Sequence, residues 1–306
     1  MDTATAYAPG SASNLGPGFD CLGVAFTGKG DRVTAVRTGP PGVRVVAVSD
    51  PRIPADPRRN TAAIAAAAVL RRAGADAGLE LSVEKGLPLA GGMGGSAASA
   101  VAGALAANAL LEGAGLGRDD LLAAALEAEE AVAGRHADNV APSLLGGAVL
   151  VLGTDPPRLG RLHVSPALAL VLVSPAYQVE TAKARAVLPG SVTRADAVAQ
   201  AAALGALVLG LERGDQELIR AAMSDRIAEP ARAPLYPGYP EARAAALAAG
   251  AAGVAVSGAG PTVLAIAGEA AVPAVARALE GAYRALGIEA AVHAARVDEE
   301  GGRLVG

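Results

Sequence analysis

Aromatic residues are nearly absent from this chain: its 306 positions hold five Tyr, two Phe and no Trp. With 52% hydrophobic residues, the interior must be aliphatic and alanine-rich, packed from many small helical faces. Cysteine is almost missing too. Cys21 stands alone, which excludes an intrachain disulfide or a cysteine zinc site and suits a reducing cytoplasm. Neither charge sign dominates; 26 Lys and Arg against 30 Asp and Glu leave a net charge of −4, so no general attraction to nucleic acid or acidic membranes is expected. Long hydrophobic runs are lacking: Asn108 ends one, and Asp196 and Gln200 break another. Met1-Asp2-Thr3-Ala4 has neither the basic start nor the apolar run of a secretion signal. The expectation is a cytoplasmic protein without membrane contact, its length suiting one large or two medium domains.

What is abundant is glycine, and it clusters. Pro88-Leu89-Ala90-Gly91-Gly92-Met93-Gly94-Gly95-Ser96-Ala97-Ala98-Ser99 lies between a strand-like segment and a helix-like one. Glycines leave backbone N–H groups unobstructed and accept positive φ, so they can wrap a phosphate. The following helix points its amides and positive dipole end at the same anion, with Ser96 placed to cap it or to reach a phosphate-bound Mg²⁺. The loop is not a Walker A, because Gly95-Ser96-Ala97 stands where Gly-Lys-Ser would be needed. It matches the dinucleotide pattern only as far as its last place, where Ala97 replaces glycine. A glycine-rich turn with no ligand is the plainer alternative.

Periodicity and turn signals predict strands over 3–8, 43–48, 79–85, 148–152, 167–173, 253–257, 263–267 and 290–297. Helices are predicted over 61–73, 97–111, 118–132, 193–212, 215–222, 240–249 and 272–286. The Pro/Gly-rich break Gly153-Thr154-Asp155-Pro156-Pro157 is the best candidate boundary, dividing the chain into 1–155 and 156–306.

Gly92-Met93-Gly94-Gly95-Ser96-Ala97 resembles the G-L-G-S-S-A signature of the GHMP small-molecule kinases, with Met for Leu and Gly for the first Ser. Pro9-Gly10-Ser11-Ala12-Ser13-Asn14-Leu15-Gly16-Pro17-Gly18-Phe19-Asp20, by itself a turn-rich loop, is similar to a motif of the homoserine kinase branch of that family. So are His136-Ala137-Asp138-Asn139-Val140-Ala141-Pro142 and Asp225-Arg226-Ile227-Ala228-Glu229-Pro230-Ala231-Arg232. Ser257-Gly258-Ala259-Gly260-Pro261-Thr262 resembles the third family motif, a tight turn between strands.

The resemblance implies an α+β protein with an S5-like N-terminal lobe and a ferredoxin-like C-terminal lobe around a shared cleft, commonly as a homodimer. It implies ATP and Mg²⁺, and transfer of phosphate to the hydroxyl of L-homoserine on the route to threonine. Pro88, Leu89, Ala90, Gly91, Gly92, Met93, Gly94, Gly95, Ser96, Ala97 and Ser99 would hold ATP, with Asn60 near the base. Ser96 and Glu129 would hold Mg²⁺, Glu129 being favoured over Glu127 and Glu130. Asn14, Asp20, His136, Thr181, Arg185, Arg232 and Gly258 would grip the amino acid, with Asp20 for its ammonium and the arginines for its carboxylate. Asn139 would lie near the reacting hydroxyl and, unable to take a proton, would leave the base position empty; positioning and charge neutralisation suffice for a loose transition state. A mevalonate-type kinase of the same family and a non-catalytic sensor on the same fold are the alternatives.

Overall fold

In the computed structural model, which describes residues 2–132 and 134–306, two long strands organise the first lobe. β1 (Thr3–Asn14) and β2 (Gly18–Thr38) pair antiparallel, with register shifts after Pro9 and Ser13. β2 serves two partners: its second half pairs with β4 (Gly78–Glu84), and its first half with β5 (Ala148–Thr154). A 21-residue strand was not legible because Gly18, Gly23, Gly28 and Gly30 interrupt its alternation, and glycine in a strand marks bends and bulges. β3 (Gly42–Val48) adds in parallel to β4, and β6 (Pro157–Leu162) adds to β5.

The Pro/Gly break at 153–157 is therefore the turn of the β5–β6 hairpin. A lobe division at 155/156 would cut that hairpin, because β6 still belongs to the first sheet. The end of the chain returns as well: β11 (Arg303–Val305) pairs with β1.

Against this sheet pack α1 (Thr61–Arg72), α2 (Gly95–Ala109), α3 (Arg118–Val132) and α4 (Ala137–Leu145). α2 is apolar on all sides, GSAASAVAGALAANA, and is buried almost throughout, as such a helix must be. Its many alanines let neighbouring helices approach closely, which answers the shortage of large side chains.

The second lobe is built on β7 (Leu168–Pro175), β8 (Gly253–Val256), β9 (Val263–Gly268) and β10 (Ala290–Ala295), in the antiparallel order β10-β7-β9-β8. With helices between the first and second and between the third and fourth of these strands, this is the ferredoxin-like arrangement. Alternation along β7 feeds two cores: Leu168, Leu170 and Leu172 join the large core shared with the first lobe, while Val171 and Val173 face the smaller one. α9 (Tyr239–Ala248) and α10 (Val272–Ala285) cover that smaller core.

Between β7 and α9 run the short helices α5 (Thr181–Ala186), α7 (Gln216–Ala222) and α8 (Ala228–Arg232), together with α6 (Arg194–Arg213). The helix predicted over 193–212 is present as α6, and Asp196 interrupts its apolar run less than expected, because it lies in the first turn beside the Thr193 cap. Among the described residues α6 is the one helix long and apolar enough to cross a membrane by length and composition. Gln200 instead ties it to the fold, donating to the Pro17 carbonyl at 3.0 Å and to Asp225 at 3.1 Å.

Candidate active site

A cavity of about 270 Å³ opens between the lobes, and the glycine loop forms one end of it. Gly94 caps α2 in the left-handed region at φ 65°, where a Cβ would lie 2.1 Å from Ser11 Oγ. Gly92, at φ 74°, is hemmed in by the Ser257 carbonyl 2.5 Å from where a Cβ would sit. Only glycine lets the loop lie this close to β1 and to the 257–262 turn. The 257–262 turn braces it from the second lobe: Ser257 Oγ donates to the Gly92 carbonyl at 2.6 Å and Thr262 Oγ1 to the Gly91 carbonyl.

Beneath the loop, the buried Lys85 ammonium bonds Asp31, the Gly95 carbonyl (2.6 Å) and Ser99 Oγ (3.0 Å). Ser99 in turn donates to Asp31 at 2.7 Å. Ser99 is thus committed to a brace under the first turn of α2, although it lines the cavity. Pro88, Leu89, Ala90, Gly91, Gly92, Gly94, Gly95 and Ser96 also line it. Met93 and Ala97 do not: their side chains are buried in the core, and the Met93 carbonyl anchors the loop by accepting from Ser11 N at 3.2 Å. Asn60 lines the cavity but is occupied in capping α1, accepting from Ala62 and Ala63 and donating to the Pro54 carbonyl. That leaves it little to offer a nucleotide base.

Ser96 Oγ donates to Glu129 Oε1 at 2.8 Å, bringing α2 and α3 together. Glu129 is only 3% exposed, and its Oε2 is buried without a hydrogen-bond partner. Its neighbours point elsewhere, Glu127 to Arg71 and Glu130 to Arg135 at the surface. A hydroxyl beside a carboxylate with a spare oxygen is a donor set that suits a hard cation completing its shell from phosphates and water.

From Glu129 a chain of polar contacts crosses the cleft. His136 Nδ1 lies 3.5 Å from Glu129 Oε1, and Arg185 Nε donates to His136 Nε2 at 3.3 Å, which leaves the ring proton on Nδ1. Arg185 then forks onto Asp20 at 3.0 and 3.1 Å. Asp20 sits at φ 56°, and Asn14 and Leu15 are also left-handed at 74° and 48°. Three non-glycine residues in that region mark a strained turn, held here because Asn14 Oδ1 accepts from Asp20 N at 3.0 Å and Asn14 Nδ2 donates to the Gly258 carbonyl at 2.8 Å. Arg232 shares that carbonyl at 3.2 Å, donates to the Ala184 carbonyl at 2.8 Å and stacks over Phe19 at 5.1 Å. It is 4% exposed and forms no ion pair among the described residues. Thr181 lines the same wall from the start of α5.

Asn139 is gripped from both sides: its Oδ1 accepts from Ser11 Oγ at 3.1 Å and its Nδ2 donates to Ser13 Oγ at 3.0 Å. Sequence reasoning passed over these serines, though their i, i+2 spacing on a strand puts both on one face. It also passed over Lys85, Asp31 and Asp138. Asp31 carried no motif to find it by, since it meets Lys85 only through pairing of β2 with β4.

The GHMP kinase N-terminal domain model matches residues 60–147, and the GHMP kinase C-terminal model matches residues 203–285. A homoserine kinase of Xylella fastidiosa is 42% identical, over 99% of this chain and 94% of the relative. One from Arabidopsis thaliana is 40% identical over 85% of this chain and 72% of its own length. The crystal structure of homoserine kinase from Cytophaga hutchinsonii superimposes with a TM-score of 0.95 at 38% identity, covering 100% of this chain and 98% of that one.

Proposed function

The chain belongs to the GHMP kinases, in their homoserine kinase branch, and we propose that it moves the γ-phosphoryl group of ATP onto the side-chain hydroxyl of L-homoserine. The products are ADP and O-phospho-L-homoserine, on the route to threonine, in the cytoplasm.

The amides of Gly91 to Ser96 and the N-terminus of α2 receive the phosphates. Ser96 and Glu129 would hold Mg²⁺, which when bound offsets charge on the phosphate oxygens. Arg185 and Arg232 take the substrate carboxylate, Asp20 its ammonium, and Asn14, His136, Thr181 and the Gly258 carbonyl complete the wall. Asn139, fixed between Ser11 and Ser13, orients the hydroxyl for in-line attack. The bond from γ-phosphorus to the bridging oxygen of ADP breaks as the bond to the homoserine oxygen forms. With an amide at position 139, the hydroxyl proton leaves with the phosphoryl oxygens; the loose transition state asks chiefly for alignment and neutralised charge.

The observation that carries this reading is the polar chain Ser96–Glu129–His136–Arg185–Asp20, which joins a phosphate end to an amino-acid end within one cavity. A coupled ADP-release assay on homoserine, threonine, serine and mevalonate tests it. Homoserine is expected to turn over best; best turnover of mevalonate would sink the assignment.

A further inference from the structure

Gln200 is the polar exception on the inner face of α6. It is buried with Leu207 and Leu211 while Val198 and Leu209 stand exposed, so an amide takes a place where an apolar side chain would pack better. Its hydrogen bonds go to two segments far apart in the chain. Nε2 donates to the Pro17 carbonyl at 3.0 Å and to Asp225 Oδ1 at 3.1 Å, and Oε1 accepts from Arg226 N at 2.8 Å. Pro17 lies in the strained turn that carries Asn14 and Asp20. Asp225 accepts from the backbone N–H groups of Ile227, Ala228 and Glu229, and so opens α8, the short helix that carries Arg232. The same two segments meet again at one acceptor, the Gly258 carbonyl, which receives Asn14 Nδ2 and Arg232 Nη1. The bonds close a ring, and a void of about 10 Å³ lies against four of its members, Asn14, Asp225, Arg232 and Gly258.

We propose that Gln200 is a positioning residue for the amino-acid substrate: it sets the distance between the Asn14–Asp20 turn and the α8 arm, and through them the placing of Asn14 and Arg232 on the acceptor wall. This rests on the homoserine kinase reading above and adds to it a residue that does not itself line the cleft. With a void between Asn14 and Asp225, contact packing holds their spacing poorly, and the hydrogen bonds carry it. The position calls for an amide. The two groups facing Nε2, a carbonyl and a carboxylate, only accept, and the group facing Oε1 only donates. Glutamate would set a second carboxylate against Asp225. An aliphatic side chain would leave the Pro17 carbonyl and the Arg226 N–H without these partners.

The test is Gln200→Met, which keeps the length of the side chain and loses its bonds. The KM for homoserine should rise about fivefold or more, while AMP-PNP binding by calorimetry, at a loop these bonds do not reach, stays within about twofold. Gln200→Glu should raise that KM at least as far. In an Arg232→Ala background Gln200→Met should raise it by a smaller factor than in the wild type, because a group being positioned has already gone. A smaller rise in either single variant overturns the proposal. So does an equal or larger factor in the Arg232→Ala background, or a weakening of AMP-PNP as great as that of homoserine. Should Gln200→Met lose AMP-PNP binding altogether, Gln200→Asn, with the amide on a shorter arm, is read the same way; a position tolerating neither is structural, and the proposal falls. Wild-type protein that does not phosphorylate homoserine overturns the functional reading and the proposal with it, whereas an active wild type with an unmoved Gln200→Met overturns the proposal alone.

Discussion

At the glycine-loop end of the cleft Lys85, Asp31 and Ser99 are bonded to one another, and Ser96 to Glu129, mostly out of reach of water. At the acceptor end, the side chains of Arg185 and Asp20 stand 40% and 42% exposed and reach each other across the opening. The bonds of the first region are internal to it and buried. The second is an ion pair that a ligand can exchange: an exposed pair contributes only about 0–1 kcal/mol, so a zwitterion bringing its own two charges displaces it at little expense. On the proposed reading, the triphosphate would meet backbone and buried bonds already in place, and the amino acid would meet charges that trade partners.

The strongest way to break this contrast is to attack the rigid end. Glu129→Gln should lower kcat by roughly 10²–10³ with little change in homoserine KM, since it removes a charge-stabilising group at the phosphates. Steady-state kinetics under saturating homoserine reads this; a pure homoserine KM effect would reassign Glu129 to the acceptor end. Lys85→Met leaves Asp31 buried without a cation, and should destabilise the fold by about 3–5 kcal/mol in urea unfolding. A loss below about 1 kcal/mol would mean the brace is not what holds α2.

The acceptor end sharpens the comparison through its two arginines. Arg232, buried on carbonyls, should be worth about 2–5 kcal/mol of homoserine binding, and Arg185, half in water, nearer 1 kcal/mol. Calorimetric titration of homoserine into Arg232→Ala and Arg185→Ala gives the order directly, and the reverse order would contradict the exchange of partners. A third substitution separates the ends: Gly94→Ala places a Cβ against Ser11 and Asn139, and should cost AMP-PNP binding more than homoserine binding.

How much of this was legible in the sequence follows from what each feature depends on. The glycine loop, α3 and the 257–262 turn were readable because local chemistry decides them: positive φ, helical period, a two-strand hairpin; Glu129 stood out from its acidic neighbours only through the resemblance. The motif strings also contain Asn14, Asp20 and Arg232, which with Arg185 line one cavity. What stayed hidden was set by pairing between distant segments. Lys85 finds Asp31 across 54 positions, and β2 is bent by glycines that disguise its length. β6 returns to the first sheet through a turn that looked like a linker. Met93 and Ala97 sit inside the signature yet face the core, since a loop that cradles a ligand must also be anchored behind.

The smallest effect concerns Asp138, and its sign is specific. The folded protein holds that carboxyl at about 6, above the ordinary carboxylate range, because burial and Asp20 both oppose its charge. A carboxyl raised on folding contributes stability that is present below its ordinary pKa and lost as pH rises through about 6. At pH 7.5 the wild type therefore carries an unfavourable buried anion that D138N lacks. The variant should be the more stable of the two there, by on the order of 1 kcal/mol once solvent in the cavity is allowed for. The gap should close as pH falls from 6 towards 4. His136, Asp20 and Arg185 face the same space but are common to both proteins, so the difference isolates Asp138; the Cys21 thiol, pushed up to about 11, is silent over this range. Urea unfolding at pH 5 and 7.5 reads it, and a variant less stable by the same amount at both would show that the carboxylate is held by bonds rather than waiting for a cation.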